Sequence, residues 1–309
     1  MNTILIIGGN GFVGYHVLKR LICGNARIRS ISRTVPECDY IFDSVDYRTG
    51  DIWERDFLLE ALQGVDTILD FMSTTMPGNK EISLENEINT TLRYHNYILS
   101  NAVANGVRHY LFPSSGGAVY GSRQATETAE TDLLLPSTPY GVGKKMAESI
   151  IHYYVQRCGI NASILRIGNV YGSQRFRDRP QGVIDVFIQN ALERKPVVIW
   201  GNASTAIRDY VYLEDVAEAV KMIVDSNQVG AHTYNVGTGI GTSVSQIVDM
   251  IEQTLGYKLE KEHRDNKSSG IDRIVLSNKK IHDEVGWQPR IDLKEGIRRT
   301  VDLKKKLLT

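Results

Sequence analysis

Cysteine is nearly missing from this chain: Cys23, Cys38 and Cys158 are the only three in 309 residues. They are odd in number, scattered, and form no Cys-x-x-Cys. That excludes a disulfide framework and points to reduced thiols in a cytoplasmic protein. The seven histidines offer no His-x-x-x-His or similar ligand pair, so no metal site is expected. Neither sign of charge dominates, with 36 Lys+Arg against 36 Asp+Glu. The balance excludes a global field for nucleic acid or an anionic membrane, so any anionic ligand must be held by local donors. No apolar run approaches the roughly 20 residues of a membrane span. A β-like segment starts almost at Met1 and runs into glycines, so no signal peptide is expected. Repeats and low-complexity linkers are missing too.

What is present is ordinary globular material, 42% hydrophobic and 23% charged, long enough to bury a large core. Apolar β-like runs alternate with longer amphipathic stretches, the pattern of βαβ units and a doubly wound parallel sheet. Strands are predicted at Ile4–Ile7, Ile28–Ile31, Thr67–Phe71, His109–Phe112 and Ser163–Ile167. Helices are predicted at Gly14–Cys23, Arg55–Leu62, Leu84–Asn105 and Tyr140–Arg157, with Gly24, Gly64, Gly106 and Gly159 as left-handed caps. Beyond Tyr171 the pattern loosens into a smaller α/β lobe. It holds a helix from Val183, a strand Val197–Trp200, helices at Leu213–Asp225 and Val244–Leu255, a strand Thr233–Val236 and a last helix from Leu293. The expected division is 1–171 for nucleotide binding and 172–309 mainly for substrate, with some segments returning to the first part. Lys304-Lys305-Lys306 reads as the solvated end of the last helix.

Gly8-Gly9-Asn10-Gly11-Phe12-Val13-Gly14 joins a strand to a helix. Glycines at 8, 11 and 14 permit a tight turn and close approach of backbone to a pyrophosphate, with helix N–H groups facing it. A glycine pattern alone also fits an ordinary strand–helix turn; its place after an N-terminal apolar strand favours the nucleotide. The second strand ends Ile31-Ser32-Arg33, with no acidic residue for a ribose 2′-OH. A hydroxyl and a guanidinium suit a 2′-phosphate, which favours NADP over NAD. Alternatively, Arg33 stacks on adenine or points to solvent. Asp51, before Ile52, either meets the adenine amino group or caps the following turn.

Tyr140-Gly141-Val142-Gly143-Lys144 heads a helical stretch, where a spacing of four puts both side chains on one face. The Lys144 charge, helped by an oxidised nicotinamide, is expected to lower the phenol's ionisation from its ordinary ~10. Such a Tyr can give a proton to a carbonyl oxygen, or take one from an alcohol, as hydride moves. A chance Tyr-x-x-x-Lys is common on helix surfaces. This one follows Phe112-Pro113-Ser114-Ser115-Gly116-Gly117-Ala118-Val119-Tyr120-Gly121.

Together these segments resemble the extended short-chain dehydrogenase/reductase family, which includes UDP-galactose 4-epimerase, sugar-nucleotide 4,6-dehydratases and 4-keto-sugar reductases. The resemblance continues through Arg166-Ile167-Gly168-Asn169-Val170-Tyr171-Gly172, Ile207-Arg208-Asp209-Tyr210-Val211-Tyr212 and Gly286-Trp287-Gln288-Pro289. It implies a Rossmann-type sheet with a smaller C-terminal substrate lobe, NADP or NAD as cofactor and a nucleotide-sugar substrate. Tyr140 would be the acid/base, Lys144 would orient the cofactor ribose, and Phe71, Met72 and Ser73 would line the cofactor. Asn169, Arg208 and Tyr210 would form the substrate side, with Arg264 or Lys267 as a second phosphate-binding cation. Asn169 could equally be a turn residue, and Arg208 a salt-bridge partner of Asp209 or Glu214. A homodimer is implied through Leu84–Asn105 and Tyr140–Arg157, where Ile98, Ala102, Met146, Ile150 and Tyr154 lie at helical spacing; buried core is the alternative.

The chain also departs from the family. The catalytic Ser/Thr position falls on Gly116, leaving Ser115 or Ser114 to polarise the substrate oxygen. Ala118 replaces a Thr that often touches the sugar, and Gly117-Ala118 stands where dehydratases carry Asp-Glu. The expectation is an NADPH-dependent 4-keto-(6-deoxy)sugar nucleotide reductase, for example of a dTDP-sugar. The alternative is a nucleotide-sugar 4-epimerase holding NAD tightly. A non-catalytic NADP-binding protein is the third reading, which the intact Tyr140 and Lys144 disfavour.

Overall fold

The computed structural model describes residues 2–36, 41–73, 75, 82–123, 125–172, 182–201, 203–264 and 273–308. Cys38 and Lys267 lie outside the described residues. The chain begins β1 (Thr3–Ile7), α1 (Gly14–Leu21), β2 (Arg27–Ser32), β3 (Val45–Thr49), α2 (Arg55–Leu62) and β4 (Thr67–Asp70). It continues with α3 (Leu84–Ala104), β5 (His109–Ser115), a helical turn α4 (Gly116–Val119), α5 (Pro139–Cys158), β6 (Asn161–Ile167), β7 (Asn169–Tyr171) and α6 (Val183–Leu192). Then come β8 (Val197–Trp200), β9 (Ile207–Tyr212), α7 (Leu213–Asp225), β10 (Ala231–Val236), β11 (Gly241–Ser243) and α8 (Val244–Leu255). The chain closes with β12 (Lys261–Arg264), β13 (Arg273–Ile274), α9 (Lys279–Val285) and α10 (Leu293–Leu308).

Among the described residues, seven parallel strands form the main sheet, in the order β10-β6-β5-β4-β1-β2-β3. β1 lies between β2 and β4, with Ile4 opposite Ile28 on one side and Thr67 on the other. Every residue of β1 is buried, because helices cover both faces of a parallel sheet and leave no room for polar alternation. One face packs Ile4, Ile6 and Leu111 against Val17 and Leu18 of α1 and Val216 and Val220 of α7. The other packs Leu5, Ile68, Tyr110 and Phe112 against Leu58 of α2, Ile98 of α3 and Ile151 of α5. Each such aliphatic side chain contributes about 1.5–3 kcal/mol on burial.

After β6 the chain builds a second, smaller sheet from β11, β9 and β13, with β7 also paired to β9. β8 and β12 pair separately. The small core formed by α6, α8 and α10 includes Ile188, Ile251 and Ile297. β10 does not stay there but pairs along its length with β6, with Tyr234 opposite Leu165. No helix among the described residues is long and apolar enough to cross a membrane.

β5 runs three residues past the expected Phe112, to Ser115, and Gly116–Val119 follows as α4. Two local expectations need correction. Gly64, Gly106 and Gly159 take positive φ, but Gly24 does not; its N–H instead closes a turn on Leu21 O at 2.9 Å. Lys304 is not solvated: it is 4% exposed and lies 3.8 Å from Asp185.

Candidate active site

The glycine loop, the ends of β4 and β5, and the start of α5 converge at the carboxyl ends of adjacent strands. The strand order reverses between β1 and β4, where open α/β sheets bind ligands. The glycines are required by contact: a Cβ at Gly14 would overlap Gly8 O and sit 3.0 Å from Gly8 C. Gly8 has φ +80°, with a Cβ position 3.1 Å from Phe71 C. Phe12 and Val13 are half-buried at the head of α1, and Gly11 N–H closes the turn on Gly8 O at 2.9 Å. This cradle leaves backbone where side chains would otherwise stand, and it fits a pyrophosphate.

Asn10 Nδ2 donates to Ser32 Oγ at 2.8 Å and to Thr34 O at 2.9 Å, locking the loop to the end of β2. Arg33, next in sequence, is exposed. Asp51 caps the turn, its Oδ1 accepting from Trp53 N–H at 3.0 Å. Ile52 is buried in the core between the sheet and α2.

Thr138 caps α5 by accepting from Gly141 N–H at 3.1 Å, and Pro139 opens the helix. Tyr140 and Lys144 emerge beside Met72, Ser73 and Thr75 around a small cavity that also receives Glu87, Thr91, His95 and Ala147. Phe71 packs against the core rather than facing this cavity. Lys144 Nζ donates to Pro113 O at 2.9 Å and lies 4.4 Å from the Phe112 ring centre. Burial pulls this ammonium down to about 8, against the carboxyl groups of Asp70, Glu87 and Glu148. Burial and the Glu87 charge push the Tyr140 phenol up to about 12, while a hydrogen bond from Ser115 opposes them. Within the chain alone the phenol therefore lies above its ordinary range, opposite to the lowering expected from Lys144 together with an oxidised nicotinamide. The ammonium is turned to the Pro113 carbonyl, and burial dominates the phenol.

Ser115 meets Tyr140, whereas Ser114 is held in a buried cluster. Its hydroxyl donates to Glu148 Oε1 at 2.5 Å, and Glu148 pairs with Arg166 at 2.8 Å. Successive strand residues face opposite ways, so the two serines serve different neighbours. Gly116 has no room for a larger residue as the structure stands: a Cβ there would lie 2.6 Å from Leu276 Cδ1.

On the other flank, β7 and β9 place Asn169 opposite Tyr210, with the Asn169 side chain beside the Tyr210 phenol. Arg208 adjoins them and donates to Ile207 O at 2.9 Å. The carboxylates suggested as its partners are engaged elsewhere. Asp209 accepts from Thr238, Gly239 and Leu276, and Glu214 faces Arg299. Arg264 is exposed on β12, paired with Glu262 at 2.8 Å and 5.4 Å from the Trp200 ring centre. Asp70 and Glu87 were not singled out in the sequence. Asp70, fully buried, accepts from Tyr94 at 2.9 Å and from Tyr110, and burial pushes its carboxyl up.

Strand order, glycine cradle and a Tyr–Lys pair at the strand ends define a Rossmann-type dinucleotide-binding enzyme. Residues 4–237 match the model of the NAD dependent epimerase/dehydratase family, and the chain belongs to that family. It is 31% identical over 310 residues to a putative UDP-glucose 4-epimerase of Methanocaldococcus jannaschii, covering 97% of each chain. It is 26% identical to dTDP-4-dehydro-6-deoxyglucose reductase of Escherichia coli, over 96% of this chain and 95% of that one. The UDP-glucose 4-epimerase of Thermotoga maritima, solved with UDP-glucose, superposes with a TM-score of 0.87 at 25% identity. That alignment covers 99% of this chain and 100% of that chain. The UDP-glucose 4-epimerase of Thermus thermophilus, in complex with NAD, also gives 0.87, at 26% identity over 98% and 99%. Enzymes of the family are NAD(P)-dependent and act as nucleotide-sugar epimerases, dehydratases and reductases.

Proposed function

We propose that this enzyme reduces the 4-keto group of a nucleotide sugar, such as a dTDP-4-keto-6-deoxy sugar, with NADPH. The observation that carries the reading is the end of β2, where Ser32 and the exposed Arg33 stand and no carboxylate is offered to a ribose 2′-OH. Tyr140, at the head of α5 beside Met72 and Ser73, is suited to giving a proton to a carbonyl oxygen. Reduced nicotinamide, when bound, supplies hydride to the carbonyl carbon. Ser115 polarises the carbonyl oxygen and Tyr140 protonates it. Lys144 orients the ribose and holds positive charge behind the phenol. The backbone of Gly8, Gly11 and Gly14 receives the pyrophosphate, and Ser32 with Arg33 takes a 2′-phosphate. Asn169, Arg208 and Tyr210 hold the substrate diphosphate.

The epimerase relatives favour a second reading, in which the same Tyr140 takes and returns a proton while NAD remains bound. Incubation with NADPH and a dTDP-4-keto-6-deoxy sugar separates the two. Stoichiometric loss of the reduced-nicotinamide absorbance supports the reductase. Conversion of UDP-glucose or UDP-N-acetylglucosamine to its C4 epimer without added NADPH overturns it.

We further propose a homodimer through the outward faces of α3 and α5, where Leu92 is 50% and Tyr153 is 59% exposed. Ile98, Ala102 and Tyr154, also considered for that role, are buried within the chain itself. Sedimentation of the wild type against Leu92→Glu tests the assembly. We place the functional division near residue 171, with β10 returned to the first sheet.

A further inference from the structure

Ser114 of β5 and Arg166 of β6 stand opposite each other in the parallel pairing of the two strands. Both reach α5, where Glu148 receives them. Its Oε1 accepts from Ser114 Oγ at 2.5 Å and from Arg166 Nε at 3.2 Å. Its Oε2 accepts from Arg166 Nε at 3.2 Å and from Nη2 at 2.8 Å. The third guanidinium nitrogen, Nη1, donates to the Tyr120 hydroxyl at 2.8 Å and to Glu130 O at 3.0 Å. The Tyr120 hydroxyl donates in turn to Asn235 Oδ1 at 2.8 Å, and Asn235 Nδ2 donates to Thr128 O at 2.9 Å. Arg166 and Glu148 are both buried.

A buried ion pair is a weak source of stability, because desolvation of both charges offsets their attraction. Its geometry suggests another use. Tyr140, Lys144 and Glu148 follow at intervals of four and share one face of α5. Successive turns of that face rest on successive residues of β5: Lys144 Nζ on Pro113 O at 2.9 Å, then Glu148 on Ser114. Glu148 also reaches β6, and it meets there a planar fork that accepts one orientation of a carboxylate. Turning or sliding α5 would break that fork. The other arm of Arg166 leads away from the helix. Thr128 N–H donates to Val275 O at 2.8 Å, and Thr128 O accepts from Ser277 N–H at 2.9 Å. Those residues continue β13, which pairs with β9, the strand of Arg208 and Tyr210.

We propose that Arg166 is a positioning residue. Its fork on Glu148 fixes the rotation of α5 that aims Tyr140 and Lys144, and its free arm keeps the helix in register with the segment carrying Thr128 and Glu130. Through that segment the aim of the pair is tied to the small sheet of the substrate lobe. This inference rests on Tyr140 and Lys144 being the reacting pair of the proposed reaction. Neither Arg166 nor Glu148 is among the described residues that line the cavity at Tyr140, so both act through the helix. Ser114 adds one further bond to Glu148, and the fork stands without it.

The test removes both charges at once, with Glu148→Leu and Arg166→Met in one chain, so that no lone buried charge is left behind. The urea midpoint should stay at or above that of the wild type, since apolar replacement of a buried pair is commonly neutral or stabilising. NADPH affinity and KM for the nucleotide sugar should change little, while kcat falls by about 10²-fold, the scale of a misaimed reacting group. Amide hydrogen exchange over the first two turns of α5, read without sugar, should quicken by about tenfold or more. Arg166→Lys keeps the charge beside Glu148 but cannot hold Tyr120 and Glu130 O as well. It should lose about tenfold in kcat, and it carries the test if the double variant does not fold. Wild-type kcat and exchange in either folded variant overturn the proposal. So does a fall in kcat matched by equal losses of NADPH affinity and KM, which would mark general damage. Unchanged exchange removes only the role of Arg166. Failure of NADPH consumption by the wild type removes the reductase reading and leaves the exchange result standing.

Discussion

The Ser115 hydroxyl adjoins the Tyr140 phenol between the end of β5 and the start of α5. Ser114, one residue earlier, gives its hydroxyl to Glu148 instead. Substituting the two serines should therefore have different consequences. Ser115→Ala should lower kcat about 10²-fold, the scale of one lost donor at a developing oxyanion. Ser114→Ala should leave kcat nearly unchanged and cost about 1–3 kcal/mol by urea unfolding. Equal kinetic losses would remove the distinction.

Tyr140→Phe deletes one oxygen and should leave the glycine cradle intact. Turnover should fall by about 10²–10⁴-fold, while fluorescence titration finds NADPH affinity nearly unaltered. A fully active variant would remove Tyr140 from the chemistry.

Arg33 is exposed just past the end of β2, where the proposed reading sets it against a 2′-phosphate that NADH lacks. Arg33→Ala should weaken NADPH about tenfold or more, the scale of a lost charge-assisted hydrogen bond. NADH binding should change little. Calorimetric titration of both cofactors decides it, and an equal loss would favour the epimerase with NAD.

Stability should fall as the solution is acidified below neutral. Burial holds His16 down to about 4 and His95 to about 3 in the folded chain, against about 6.5 when unfolded. Between those values the unfolded chain binds more protons, so each histidine removes up to about 1.4 kcal/mol per pH unit as pH falls. The loss should begin near pH 6.5 and level off below the folded values, as far as these two groups are concerned. Urea midpoints at about pH 7 and about pH 5 check the sign, and equal midpoints would contradict it.

The parts of this site that were legible in sequence are those set by neighbours along the chain. β1, the glycine turn and α1 form one continuous signal, and so does Tyr140 with Lys144 one helical turn later. β9 was not read as a strand, because Arg208-Asp209 interrupts its apolar pattern. Asp209 is nevertheless buried, satisfied by Thr238, Gly239 and Leu276 from distant segments. Glu87 was illegible for a similar reason. A Glu in the first turn of a helix ordinarily complements the helix dipole in solvent, and only the packing of α5 at Gly143 makes it a buried group. Leu276 likewise packs over Gly116 from a distant segment, its Cδ1 2.6 Å from where a Cβ would stand.

The pairing of β10 with β6 has a consequence for biosynthesis. During translation, Asn161–Ile167 emerges long before Ala231–Val236, so the growing sheet carries an open flank while roughly sixty further residues are made. Such a flank is a template for unwanted strand pairing. Fragments ending near residue 171 should therefore aggregate through that open flank, which β10 covers in the whole chain.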